Sequence, residues 1–122
     1  MRAIVSDKVY STINSQGKKT HGLIFLVTVG KNPETGKFEN GLVAQAKRAM
    51  ENFKVVLEDN GSSMENIVKI TVYLADLSRV DEFNKVYYSY FPDQENRPVR
   101  CCVGVELGGD AEVEMELVAL AD

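Results

Sequence analysis

The sequence predicts an α+β fold: a β-sheet with two helices packed on one face. Two stretches, Gly41 to Asp59 and Ser78 to Phe91, repeat apolar residues at the 3.6-residue period of an amphipathic helix. Other stretches of strand length alternate or run apolar with β-branched and aromatic enrichment. The elements follow the order strands, helix, strand, helix, two strands, with no repeat, linker or low-complexity segment, and two layers satisfy that order. At 122 residues the chain is expected to be one domain, 1–122, with a single core.

Arg2 to Ser6 alternates weakly and predicts a short first strand; the polar segment from there to Gly17 has no readable period. Gly22 to Val29 is a dense apolar run bounded by glycines and predicts a central strand. Asn32-Pro33-Glu34-Thr35-Gly36 is a turn, with proline presetting φ and glycine supplying a positive φ. With one glycine and no following Lys-Ser/Thr, it does not read as a phosphate loop. In the first helix Leu42, Ala46, Ala49, Phe53, Val56 and Leu57 face the core, with Asn40 as candidate cap and Asn60-Gly61 as the stop.

Val68 to Leu74 alternates, with Lys69, Thr71 and Tyr73 opposite the aliphatic side chains. Ser78 is the candidate cap of the second helix, in which Val80, Phe83, Val86 or Tyr87, and Tyr90 or Phe91 face inward. Asn84, in its middle, is either solvated or a hydrogen-bonding partner of a neighbouring element. Pro98 opens a stretch to Leu107 that reads as a buried central strand. Val99, Cys101, Val103, Val105 and Leu107 fall on one face of it, and Arg100, Cys102, Gly104 and Glu106 on the other. The closing strand, Glu112 to Leu120, sets Val113, Met115, Leu117 and Ala119 against Glu112, Glu114 and Glu116.

A net charge of −4 argues against a surface that recruits nucleic acid. One histidine, His21, and two adjacent cysteines, Cys101 and Cys102, make no Cys/His metal cluster. Neighbouring strand residues point to opposite faces, so these cysteines are expected to be free thiols in a reducing compartment. His21 reads as a loop or strand-end residue. No apolar run is long enough to span a bilayer, and the first residues lack the apolar core of a signal peptide. The expectation is a soluble cytoplasmic protein that binds neither membrane nor nucleic acid.

The candidate for chemistry is Arg100. A guanidinium stays charged at any working pH and its fork of donors matches a carboxylate. Here it would sit on a stiff element beside a small thiol and a glycine. The competing structural reading pairs it with Glu106 or Glu114, or leaves it in solvent. The sheet face expected to carry Arg100, Cys102, Tyr73 and Glu114 together with Val118 and Leu120 is too mixed for open solvent and reads as an oligomer surface.

The turn Asn32 to Gly36, the helix end Val55 to Ser63, the strand Val68 to Leu77, Pro98-Val99-Arg100-Cys101-Cys102-Val103 and Val113-Glu114-Met115-Glu116 together resemble the RidA/YjgF family of reactive-intermediate imine deaminases, from about Gly22 to the end. The resemblance implies a chorismate-mutase-like mixed β-sheet subunit that assembles as a homotrimer, with clefts at the subunit interfaces. It implies that Arg100 binds a substrate carboxylate, that Cys102 and Asn84 line the cleft, and that Glu114 places or activates water. Asn14 stands where the family's Gly-Pro-Tyr-x-Gln motif has its cleft-lining tyrosine, and Leu26 to Lys31 replaces a Ser-Gly-Gln-Ile-Pro segment. The implied reaction is hydrolysis of 2-imino or 2-enamino acids, such as 2-aminoacrylate, to 2-keto acids and ammonia, without metal or organic cofactor. The rewritten Asn14 and Leu26 to Lys31 segments favour an alternative, a non-catalytic trimer that binds small carboxylates or a partner protein. Endoribonuclease activity ranks last, because the chain is acidic and lacks a histidine pair for acid/base cleavage.

Overall fold

The computed structural model describes residues 1–10 and 12–121. Its strands are β1 (Arg2–Ile4), β2 (Gly17–Thr20), β3 (Leu23–Val29), β4 (Ile67–Leu74), β5 (Val99–Gly104) and β6 (Val113–Leu120), with helices α1 (Leu42–Asp59) and α2 (Val80–Tyr90). All six strands form one sheet in the order β1-β2-β3-β6-β4-β5. The closing strand is therefore central, antiparallel to β3 on one side and β4 on the other. Only β4 and β5 run parallel, joined by the crossover through α2, so the sheet is mixed.

Both helices cover the same face. Ile24 and Leu26 of β3, Ile70, Val72 and Leu74 of β4, and Val113, Met115, Leu117 and Ala119 of β6 are buried against Leu42, Ala46, Ala49, Phe53, Val56 and Leu57 of α1 and Phe83, Val86 and Tyr87 of α2. The helical and strand periods thus select the core as expected, except at Val68, which is exposed while Ile67 is buried because the β4–β6 register shifts between Ile67 and Lys69. Among the described residues no helix is long and apolar enough to cross a membrane.

Two local expectations, both helix caps, are corrected, and a strand and a turn appear that the sequence left unspecified. β2 begins where the unreadable polar segment ends, in a stretch to which the sequence assigned no element, because Gly17, Lys18 and Lys19 carry no apolar alternation. A Cβ at Gly17 would come within 2.6 Å of the Phe25 carbonyl, so only glycine lets the strand pair there. The β2–β3 hairpin turns at His21 and Gly22, both with positive φ (50° and 76°), as a two-residue turn requires. The cap of α1 is Gly41 rather than Asn40, and makes no side-chain cap bond. Ser78 does not cap the second helix; Asp76 accepts from the Ser78 N–H and hydroxyl at the entry to a short 3-10 turn that feeds α2.

The largest correction concerns β5. It is an edge strand, not a central one, and Val99 (69%), Val103 (38%) and, just beyond it, Val105 (44%) are exposed. Arg100 lies beside Ile70 and Cys102 beside Val72, so both project to the helix side rather than to the open face with Tyr73 and Glu114. Alternation separates two faces but does not say which one a helix covers. Here α2 presents aromatic rings to a cation, and the valines face outward.

One buried amide fixes the entry to the central strand. Gln45, 2% exposed, donates to the carbonyls of Glu39 and Asp110 and accepts from the Glu112 N–H at 2.8 Å. Gln45→Leu would leave these three backbone groups unpaired and is expected to lower the unfolding free energy by about 2–4 kcal/mol in urea denaturation. A change below about 0.5 kcal/mol would mean that water replaces the amide.

Candidate carboxylate-binding site

The four arginines inside the fold divide into two kinds. Arg48 pairs with Glu39, and Arg79 with Glu82 and Glu112. Arg97 and Arg100, both half-buried, have no carboxylate within 4.0 Å among the described residues. The structural reading that ties Arg100 to Glu106 or Glu114 therefore does not hold.

Arg100 is held by α2 instead. Its Nη1 donates to Asn84 Oδ1 at 2.8 Å, and its Cζ lies 4.8 Å from the Tyr87 ring centroid, 5.5 Å from Tyr88 and 5.8 Å from Phe83. Positions 83, 84, 87 and 88 share one helical face, so one surface of α2 supplies every contact. Ring faces attract the cation without neutralising it, and the neutral amide orients it. Four of its five N–H donors make no hydrogen bond to the described protein atoms. Such a group is pre-organised to receive an anion.

Cys102, two residues along β5 and on the same side, is half-buried and free. Burial raises its thiol pKa, and the Arg100 charge opposes that rise. It stays a thiol at neutral pH. Asn84 meets the hydrogen-bonding alternative raised by its mid-helix position.

Glu114 and Asn14 are not brought to Arg100 within one chain. Glu114 sits on β6 beside Tyr73, on the uncovered sheet face. Two strand steps, about 10 Å, and the sheet itself separate it from Arg100. Asn14 precedes β2, at the far end of the sheet, about 19 Å from β5 by strand spacing. It is exposed, and its carbonyl accepts from the Thr12 hydroxyl. Its segment is fastened by Gln16, which accepts from the Ser6 N–H and donates to the carbonyls of Ser6 and Tyr10.

The uncovered face holds a concavity of about 370 Å³ lined by Lys18, Phe25, Val27, Lys69, Thr71 and Glu116, among others. Tyr73 donates to Glu116 there at 2.9 Å, a bond that raises the Tyr73 pKa. Phe25, Val27, Val99, Val103 and Leu120 are exposed apolar side chains.

Comparison with known proteins gives this arrangement a family. The model of the endoribonuclease L-PSP family matches residues 9–121. The chain belongs to this family, which is the RidA/YjgF family. A RutC family protein of Aquifex aeolicus is 42% identical over 108 residues, covering 87% of this chain and 86% of that one. The 2-iminobutanoate/2-iminopropanoate deaminase of Escherichia coli K12 is 33% identical over 100 residues, covering 78% of each. The crystal structure of RidA from an Antarctic Psychrobacter superposes with a TM-score of 0.91 at 31% identity, covering 98% of this chain and 99% of that one.

In this RidA/YjgF chain, sequence reasoning picked out Asn84 but missed the aromatic residues that hold Arg100. Phe83 and Tyr87 read as core, and Tyr88 and Arg97 drew no notice. The available signal was the aromatic run at i, i+4 and i+5 on the helix preceding the arginine strand. Tyr87 is unusual among them: it is 1% exposed, yet its hydroxyl has no hydrogen-bond partner among the described residues. Burial pushes its pKa up to about 12, against an opposing contribution from Arg100.

An orphaned buried hydroxyl costs about 1–3 kcal/mol, so Tyr87→Phe is expected to raise the unfolding free energy of the ligand-free protein by about 1 kcal/mol. The pH dependence has a defined sign. The unfolded chain ionises its tyrosines near 10 while folded Tyr87 stays protonated, so its contribution is full below about pH 10 and is lost as pH rises toward 12. Denaturation at pH 8 and at pH 11 should therefore show a smaller alkaline loss in the Phe variant. A less stable variant at pH 8 would show that the hydroxyl is satisfied.

Proposed function

We propose that this chain hydrolyses reactive 2-imino and 2-enamino acids to 2-keto acids and ammonia, with Arg100 as the carboxylate anchor. The observation that carries the reading is the half-buried Arg100 guanidinium, oriented by Asn84 and aromatic rings but paired with no carboxylate among the described residues. The 33% identity to a relative named as a 2-iminobutanoate/2-iminopropanoate deaminase supports the same chemistry.

The reaction needs little from the protein. A protonated imine is already electrophilic at carbon. Water adds to it, the nitrogen takes a proton, and the C–N bond breaks to leave the carbonyl and ammonia. Anchoring the carboxylate fixes that carbon so that one positioned water converts an encounter into an attack. In this reading Glu114 takes the proton from water. Cys102 and Asn84 line the site.

Arg100 and Glu114 lie on opposite faces of one sheet, so the reading requires a second copy. We take the assembly to be a homotrimer in which Glu114 and Asn14 of one copy complete the cleft at Arg100 of the next. The exposed Phe25, Val27, Val99, Val103 and Leu120 on the uncovered face support burial between copies. Two free thiols fit a cytoplasmic setting.

The separation of Arg100 from Glu114 and Asn14 also favours a second reading, a carboxylate-binding trimer without turnover. Endoribonuclease activity has the family's descriptive name behind it, but the chain offers His21 alone, in a surface hairpin turn.

The experiment follows keto-acid formation from enzymatically generated 2-aminoacrylate and 2-iminobutyrate with wild type and Arg100→Ala. Wild-type acceleration is expected, with kcat/KM reduced about a hundredfold or more in the variant, the scale for losing a partner of a desolvated charge pair. No acceleration by wild type would leave carboxylate binding as the function. Equal rates for both proteins would remove Arg100 from the site.

A further inference from the structure

Arg97 shares the setting of Arg100. Its Cζ lies 4.2 Å from the centroid of the Tyr88 ring, and that of Arg100 lies 5.5 Å from the same centroid, so the two cations are at most about 10 Å apart. Arg97 Nε donates to the Phe91 carbonyl at 2.9 Å, which fixes the head group and leaves its remaining N–H donors without a described hydrogen bond. Two guanidiniums at such a separation repel each other. Elsewhere in the fold Arg48 and Arg79 each have a carboxylate; these two have none among the described residues. The Tyr87 hydroxyl is buried and has no hydrogen-bond partner among the described residues, and its ring lies under Arg100. Two oriented cations and an orphaned donor therefore converge on one side of α2, on a chain of net charge −4.

Resting on the deaminase reading of this site, we propose that Arg97 forms a second anionic subsite, so that the preferred substrates are imines of dicarboxylic amino acids. The first carboxylate binds Arg100. The second, one or two methylenes beyond the imine carbon, binds Arg97, a separation that two carboxylates at hydrogen-bond distance can bridge. Dianion binding relieves the mutual repulsion of the guanidiniums, which a monocarboxylate relieves only in part. The chemistry at the imine carbon is unchanged.

The test compares 2-iminosuccinate and 2-iminoglutarate, generated in situ by amino-acid oxidases, with 2-iminopropanoate generated from alanine. In wild type the kcat/KM for the dicarboxylic imines is expected to exceed that for 2-iminopropanoate by about tenfold or more, the scale of one additional charge-assisted contact. In Arg97→Gln this ratio should fall about tenfold, mainly through KM, and Arg97→Lys should retain most of it. A wild-type ratio near one would overturn the proposal. So would an Arg97→Gln variant that lowers both substrates equally, the signature of an arginine that only staples β5 to α2. If wild type turns over no imine, the deaminase reading fails and binding decides the subsite. Calorimetric affinity about tenfold tighter for 2-oxoglutarate than for 2-oxobutanoate, lost in Arg97→Gln, would uphold it; equal affinities would reject it.

Discussion

The site depends on keeping a guanidinium charged, half-buried and, among the described residues, without a counter-ion. A paired arginine has its donors occupied, and a fully buried unpaired one would cost several kcal/mol in desolvation. Arg100 lies between these limits. It stands on the outermost strand, where one side remains open, and rests on the face of α2 that carries Phe83, Tyr87 and Tyr88. Ring faces offer attraction without proton-accepting lone pairs, and Asn84 uses one donor and fixes the direction of the fork. The parallel β4-α2-β5 unit makes this possible, because the crossover sets the helix above the strand that follows it.

The same topology keeps acid and base chemistry away from the anchor in an isolated subunit. The pleat sends Arg100 to the helix side and Glu114 to the uncovered side, and four strand steps lie between β5 and the segment of Asn14. In the proposed reading a cleft that unites them would lie between copies, and the exposed apolar side chains on the uncovered face support that reading. The mixed character of that face follows from position rather than composition: Tyr73 and Glu116 satisfy each other there, while Val99 and Val103 have no neighbour to cover them.

Much of this was legible in the sequence, and the rest was illegible for identifiable reasons. The helical stripes of α1 and α2 and the alternation of β6 and of β4 from Ile70 onward name the buried residues correctly, because one side of each element is covered and hydrophobicity reports it; Val68 is the exception, exposed where the β4–β6 register shifts. β2 was invisible because its place is secured by Gly17 fitting against the Phe25 carbonyl, a steric fact with no hydropathy signature. β5 was misread as central because a valine alternation looks the same whether a helix or another subunit covers the valines. Arg100 was singled out from its place on a strand, and Asn84 was open to a hydrogen bond with a neighbouring element from its mid-helix position; the structure joins the two. Tyr87, Tyr88 and Arg97 were not singled out, since aromatic residues at helical spacing read as core until the strand that crosses them is known.

The measurement that addresses the central claim most directly is the NMR signal of the Arg100 guanidinium, assigned with an Arg100→Lys control, during titration with 2-oxobutanoate. An anchor awaiting a carboxylate should show a saturable shift of its Nε–H resonance and slowed rotation and exchange of its Nη protons, at the ligand concentrations that give keto-acid binding by calorimetry. If binding saturates while the Arg100 resonances stay unchanged and those of other side chains move, the vacant cation is not where the carboxylate binds, and the account of this site is wrong.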